Sequence, residues 1–376
     1  PAGGHQFSIH DDESDKLLFP RIYDWLDSDL PHGSLIVTPD GCMTGRVVTR
    51  LGNFEPIQSI WLSGNNIQPL HLHSVTTISK IPSFAERVCQ TFGEKTFSIL
   101  QGLKVGVVGC SGTGSPVIEQ LVRNCVGELV LVDPDHIDSG NLNRITNSTL
   151  QDAQAKTPKV DMHQKAIASI GLGTKVTAIH DDLFQRDVVK VLSECDVIFG
   201  CMDSVDGRHL LNKLTSYYLI PYFDVGVKLI ADGNGGIDQV CGQTHYLQPG
   251  KASLLSRGVY TQEQLEAATM YRTDPEFYQQ RQKEGYIDGV NIDKPAVITI
   301  NTLAASLAVN DLLARLHPYR RGGNQGVDVI RVSLTDMFMT TEPANRPCEM
   351  LTAIVGRGDV EPLLNNMELS SKEVGA

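Results

Sequence analysis

Gly109, Gly112 and Gly114 form a short glycine-rich turn with Ser111 and Thr113 among them, and a dense polar run follows: Asp133-Pro-Asp135-His-Ile-Asp138-Ser-Gly-Asn141-Leu-Asn143-Arg144. Glycine tolerates positive φ and lets backbone N–H groups come close to a phosphate. A helix that begins at such a turn adds its unpaired N–H groups and the positive end of its dipole. A carboxylate about 20 residues further on can accept ribose hydroxyls, and Asp133 and Asp135 stand there. The chemistry these residues suit is nucleotide binding.

Positioning them takes a strand, a turn, a helix and a second strand. Residues 105–108 are an apolar run closed by Gly109, too short for a free helix. Over 116–126, Val117, Leu121 and Cys125 recur at helical spacing, and the apolar run 129–132 ends at Asp133. The pattern is a βαβ unit. It continues with a strand over 176–179, a helix over 188–195, a strand over 196–200, a helix over 210–218 and a strand over 221–225. Asp203 lies just beyond the 196–200 strand. Ligands gather at the carboxyl ends of strands in open α/β sheets, and Asp133, Asp135 and Asp203 all fall at such ends.

The flanks read differently. In 1–80, a helix over 17–26 puts Leu17, Leu18, Ile22, Tyr23 and Leu26 on one face. Short alternating runs at 34–38, 45–48, 57–62 and 76–78, separated by turn signals, make this an α+β domain with an antiparallel sheet. Residues 82–100 read as a linker and helix. Glycines at 226, 233, 235, 236 and 242 point to antiparallel strands, 262–286 to a surface helix or crossover loop, 295–316 to a buried apolar helix and 327–340 to a strand pair. The expected division is 1–80, 81–355 and a polar tail over 356–376 whose last ten residues are disordered.

The formal net charge of −12 offers no basic face to nucleic acid. No apolar run is long enough for a membrane span. The eight cysteines are scattered with no C-x-x-C, which favours reduced thiols in a cytoplasm.

The glycine turn followed by Asp133-x-Asp135 and Asn141-Leu-Asn143-Arg144 closely resembles the ThiF/MoeB/E1 family of ATP-dependent activators of ubiquitin-like proteins. The resemblance runs on through Thr157-Pro158-Lys159, Cys201-Met202-Asp203-Ser204 with Arg208, Pro249-Gly250, and the 295–316 helix with Asn301 and Asn310, over roughly 85–350. It implies a Rossmann-like adenylation domain with a mixed sheet that adenylates the C-terminal carboxylate of a ubiquitin-like protein. Gly109, Gly112 and Gly114 would cradle ATP, Asp133 would hold its ribose with Asp135 beside it, and Asn141, Asn143, Arg144 and Lys159 would face its phosphates. Asp203 would coordinate Mg²⁺. Arg87 matches an arginine that reaches a partner's ATP across a homodimer. An E2-like conjugating protein is a further partner the resemblance suggests.

Each residue also has a plainer reading. Arg87, Arg144 and Lys159 can be surface charges, Asp203 a cap for the helix after it, and Asn141 and Asn143 loop residues serving their own backbone. Ser8-x-x-Asp11 resembles the end of the zinc-peptidase signature of the JAB/MPN family, whose H-x-H pair would immediately precede Pro1. Asp11 would then be one zinc ligand of an incomplete site, whereas the plainer reading makes Ser8 a helix cap. Where many ThiF relatives carry a zinc-binding C-x-x-C, this chain has Ser253-Leu-Leu-Ser256 and later only Cys348, so no structural zinc is expected. No cysteine stands between Pro249 and Pro295, where thioester-forming relatives have one; Cys201 and Cys241 are the nearest and read as structural. A bacterial ubiquitin-like conjugation system is the leading expectation. A sulfur-carrier activator of thiamine or molybdopterin type, a non-catalytic scaffold and an NAD oxidoreductase are the alternatives.

Overall fold

The computed structural model describes residues 6–27, 30–57, 59–72, 81–232, 234–283, 297–344 and 346–371. The chain divides into two compact units, 1–62 with 67–80, and 63–66 with 81–376.

The first unit opens with α1 (Ile9–Leu26), followed by β1 (His32–Val37), β2 (Met43–Val48) and β3 (Phe54–Pro56) in one antiparallel sheet, and by β4 (Ser59–Ser63) paired with β5 (Ile67–Leu72). The expected strand at 76–78 lies outside the described residues. Of the expected face Tyr23 is buried and the leucines are not. Leu17, Leu18 and Leu26 are exposed, and Asp15, Phe19 and Tyr23 point inward. The reason is Arg46 on β2, whose guanidinium lies 3.7 Å from the ring centres of both Phe7 and Phe54 and 2.7 Å from the Asp15 carboxylate. A buried carboxylate needs such a partner, and the pair decides which way the helix turns.

The second unit begins with α2 (Glu86–Gly102), bent at Gly93, where φ is +81°. There follow β6 (Lys104–Val108), α3 (Gly114–Arg123), β7 (Glu128–Val132), α4 (Leu150–Ala155), α5 (Lys159–Ile170), β8 (Lys175–Ile179), α6 (Arg186–Ser193), β9 (Val197–Gly200), α7 (Val205–Tyr218), β10 (Tyr222–Ala231) and β11 (Ile237–Leu247). The unit closes with α8 (Gln262–Thr273), α9 (Pro275–Lys283), α10 (Ile298–Leu316), β12 (Val329–Ser333), β13 (Phe338–Glu342) and α11 (Glu349–Thr352).

Among the described residues eight strands form one mixed sheet in the order β13-β12-β11-β10-β9-β6-β7-β8. From β8 to β10 the neighbours run parallel, and from β10 to β13 antiparallel. This is the expected α/β, Rossmann-like arrangement. Continuous apolar runs suit strands buried on both faces, and β6, β7 and β9 are buried in that way. Pro116 sits in the first turn of α3, where its missing N–H costs nothing, and Val117, Ile118, Leu121 and Val122 pack inward. The 262–286 stretch is two helices over its described part, because Pro275 cannot continue α8 and instead opens α9.

The expectation of a polar tail after 355 is corrected. Leu363, Leu364 and Leu369 are fully buried in the same core as α6 and α7. Arg186 donates to the Leu369 carbonyl at 2.6 Å, and the Gly356 and Gly358 N–H groups donate to Ser216 and Tyr217 carbonyls. Three leucines spread through polar sequence lack a regular period, so their burial left no pattern to read.

Candidate nucleotide site

The glycine turn runs from the end of β6 to the start of α3. Gly109 holds φ at +87°, and a Cβ on Gly114 would stand 1.8 Å from the Gly109 carbonyl oxygen. The helix can therefore start directly against the strand only because residue 114 has no side chain. Thr113 Oγ1 donates to the Cys201 carbonyl at 3.2 Å, which ties the turn to the segment leaving β9.

Asp133 follows β7 and is buried, and both of its oxygens are in use. Oδ2 accepts the Cys110 N–H at 2.7 Å and Oδ1 accepts the Asp135 N–H at 2.9 Å. Lys159, the first residue of α5 and itself buried, brings Nζ to 2.7 Å from Asp135 and 3.6 Å from Asp133. Its backbone N–H donates to the Asp135 carbonyl, so the start of α5 is fastened to the end of β7. A carboxylate has about four lone-pair sites, so Asp133 retains acceptor capacity for ribose hydroxyls. An ammonium has three donors, and two carboxylates leave one for phosphate.

Behind the turn, His163 Nε2 donates to the Cys110 carbonyl at 3.0 Å. Burial pulls its pKa down to about 4, so the ring is neutral at pH 7 and keeps its proton on the nitrogen that faces the carbonyl. The backbone of Cys110 is thus held on both sides, its N–H by Asp133 and its C=O by His163. The sequence reasoning did not single out His163, because a lone histidine on an apolar helix gives no period or motif.

The Asn141–Arg144 segment is organised by itself. Asp138 caps a short 3₁₀ turn by accepting the Gly140 N–H at 3.0 Å, and Asn141 Oδ1 accepts the Asp138 N–H at 3.1 Å. Lys156, bonded to Asp138, holds its carboxyl below the usual range. The Arg144 guanidinium donates to the Gly140 carbonyl at 2.6 Å and to Asn143 Oδ1 at 3.1 Å. In this geometry Asn141 and Asn143 serve their own loop, and the methylenes of Arg144 lie against Gly112.

Asp203 is exposed beyond the end of β9, on the same edge of the sheet as Asp133. The cap of α7 is Ser204, which makes no side-chain cap bond, so the reading of Asp203 as that cap is corrected. Mg²⁺ is commonly held by one or two carboxylates together with substrate phosphates, and an exposed carboxylate at this edge fits that demand. Among the described residues no group of three or more His, Cys, Asp or Glu is arranged to hold a metal. Asp224, the third residue of β10 and level with Gly200 at the end of β9, is fully buried and paired with Arg208 on α7; against the cost of burial, Arg208 keeps its pKa low.

The remaining residues are engaged locally. Arg87 is exposed on α2 and donates to Gln90 at 3.2 Å. Asp11 accepts from Ser8 N and Oγ, both at 2.7 Å, in a capping box that starts α1, which accounts for both residues without a metal. Ser253 and Ser256 bond each other's backbone at 2.9 and 3.0 Å, so their hydroxyls are engaged within their own turn. Burial raises the thiol pKa of Cys110 and Cys201, which keeps both unreactive.

The parallel part of the sheet thus carries at one edge a glycine turn, a buried acid at the end of the neighbouring strand, a lysine clamped beside it and an exposed acid beyond the next strand. A family model described as the ThiF family matches residues 85–348, most of the chain, and the chain belongs to that family. It is 26% identical over 160 residues to a Danio rerio protein named adenylyltransferase and sulfurtransferase MOCS3, a match covering 41% of this chain and 34% of that one. It is 30% identical over 118 residues to the SAMP-activating enzyme E1 of Haloferax volcanii, covering 31% and 43%. These matches span less than half the length of either relative. A crystal structure of E. coli MccB with ATP shares the fold, with a TM-score of 0.52 and 17% identity over 72% of this chain and 75% of that one. Among the described residues no helix is long and apolar enough to cross a membrane.

Proposed function

We propose that this chain adenylates the C-terminal carboxylate of a small ubiquitin-like protein, in the E1 manner. The observation that carries the reading is the clamp of Asp133, Asp135 and Lys159 built against the glycine turn, with Asp203 on the same strand edge. The backbone of Gly109, Gly112 and Gly114 takes the phosphates and Asp133 the ribose. Arg144 and Lys159, with Asn141 and Asn143 beside them, face the charge of the triphosphate, and Asp203 would hold the Mg²⁺ that neutralises pyrophosphate.

In the reaction a carboxylate oxygen attacks the α-phosphorus, the bond from that phosphorus to the bridging oxygen breaks, and pyrophosphate leaves. The carboxylate is already ionised at neutral pH and needs no base. Positioning and charge neutralisation are what the residues supply. With Cys110 and Cys201 buried and no cysteine in 250–294, the product is an acyl-adenylate handed on directly. Cys241, half-buried on β11 among the antiparallel strands, is the alternative thiol for a thioester.

A sulfur carrier is the second substrate class, favoured by relatives named for molybdopterin synthase and for the sulfur carrier ThiS. The domain order and the Ser8–Asp11 spacing favour a bacterial ubiquitin-like system with a JAB/MPN-like first unit and an E2-like acceptor. Zinc uptake by a chain with histidines placed upstream of Pro1 would support that unit's assignment, and its failure would leave capping as the role of Asp11. Reduced thiols suit a cytoplasmic enzyme.

The test is ATP–pyrophosphate exchange with candidate carriers. Exchange that requires the carrier's C-terminus and falls about 10³-fold in Asp203→Ala is expected, the size seen when a major charge-stabilising group is lost. ATP binding without exchange for any carrier would turn the reading to a scaffold. Exposed Arg87 is available to a second copy's nucleotide, as in a homodimer. Mixing Arg87→Ala with Asp203→Ala should then restore part of the exchange, and no recovery would count against the dimer.

A further inference from the structure

Asn301, in the first turn of α10, is buried to 1% exposure, and its Oδ1 has no hydrogen-bond partner. Buried polar atoms are nearly always paired, so an unpaired one in a site marks a partner still to arrive. The side chain lies over the glycine turn. The point that a Cβ on Gly112 would occupy is 2.6 Å from Asn301 Nδ2 and 3.3 Å from Arg144 Cδ. Gly112 keeps a negative φ, so it is glycine for space: the asparagine and the arginine converge where its side chain would be. Arg144 meanwhile spends one nitrogen on Gly140 and Asn143, out of the five N–H donors of a guanidinium.

We infer that Asn301 is a positioning residue for Arg144. With nucleotide in the turn, the guanidinium leaves the Gly140 carbonyl, donates one N–H to the Asn301 amide oxygen and aims the others at phosphate. A neutral amide suits this role because it orients the cation without neutralising it. A carboxylate in the same place would compete with the phosphate for Arg144. The amide is nearly symmetric in shape, so turning it over exchanges which atom meets Gly112 and leaves the oxygen free to face the guanidinium. The inference rests on the adenylation reading above.

The experiment is pyrophosphate exchange and ATP-binding titration on the wild type, Asn301→Ala, Asn301→Asp, Arg144→Ala and the double alanine variant. Asn301→Ala should lower kcat about tenfold, the effect of losing one modest interaction in the transition state. The double variant should be no slower than Arg144→Ala alone, since both changes disable one device. Asn301→Asp, the same size and shape, should raise the KM for ATP about tenfold with the melting temperature held. Additive losses in the double variant, or an aspartate that leaves KM unchanged, would overturn the inference and make Asn301 a packing residue. If the wild type binds ATP without exchanging pyrophosphate, the adenylation reading fails, and the same cycle read in ATP affinity still decides whether the two residues act together.

Discussion

In β6, β7 and β9 every residue except Lys104 and Glu128 is buried, whereas β13 is exposed along its whole length and the outer end of β10 is mostly open. The inner parallel strands β6, β7 and β9 are buried on both faces, as crossover connections require, and β8 at the rim of that half is partly exposed. The carboxyl edge of the inner strands therefore emerges from rigid surroundings, and there the Cys110 backbone, Asp133 and Lys159 are locked together. The antiparallel half belongs to the same sheet but ends in an uncovered edge. Positional precision for phosphate chemistry is concentrated in the first half.

The largest effect that would test this contrast comes from two glycines. Gly114→Ala would set a Cβ 1.8 Å from the Gly109 carbonyl, a backbone atom that cannot swing aside, and should cost more than roughly 4 kcal/mol or prevent folding. Gly226→Ala, on β10, meets nothing nearer than 3.7 Å and should change stability by less than about 1 kcal/mol. Denaturant titration of both variants reads the difference. Equal costs would show that the two halves are equally constrained.

The same contrast explains what was legible in the sequence. The parallel strands are unbroken apolar runs, the glycines sit where the chain must turn, and Asp133 and Asp203 follow strands, so fold class and nucleotide edge could be read directly. Asp203's cap reading failed because Ser204 occupies the cap, a one-residue difference no pattern resolves. Asp15 on the inner face of α1 was missed because hydrophobic periodicity cannot foresee that Arg46 would be waiting for it. Leu363, Leu364 and Leu369 were missed because an irregular strap has no period. His163 matters through a tertiary contact alone, with Cys110, and Asn301, named within the resemblance, gave no sign that it meets Gly112; each partner is far away in the sequence.

A smaller effect lies in the acid range. His163 has a pKa of about 4 when folded against 6.5 in its ordinary state, because burial disfavours the imidazolium. Between those values the unfolded chain binds a proton that the folded chain refuses. Its contribution is therefore complete above pH 6.5 and is lost as pH falls towards 4, about 3 kcal/mol in all. His209 and His245, lowered to about 4 and about 3 by burial, add losses of the same sign. Denaturation measured from pH 7 to 4 should show this decline, and His163→Gln, which keeps a donor for Cys110, should flatten it by one proton's slope. An unchanged slope in the variant would place the acid sensitivity elsewhere.

The smallest effect belongs to the open edge. Met339 on β13 is 62% exposed, so Met339→Ser removes little buried apolar surface and should shift stability by less than about 0.5 kcal/mol. Edge strands with exposed apolar side chains invite pairing with another chain, and Met337 and Phe338 stand exposed beside it. If Met339→Ser costs more than about 1 kcal/mol at high protein concentration and nothing on dilution, the edge is covered in solution by a second chain. The contrast would then be between inner strands that the fold itself buries and an edge that waits for a partner to bury it.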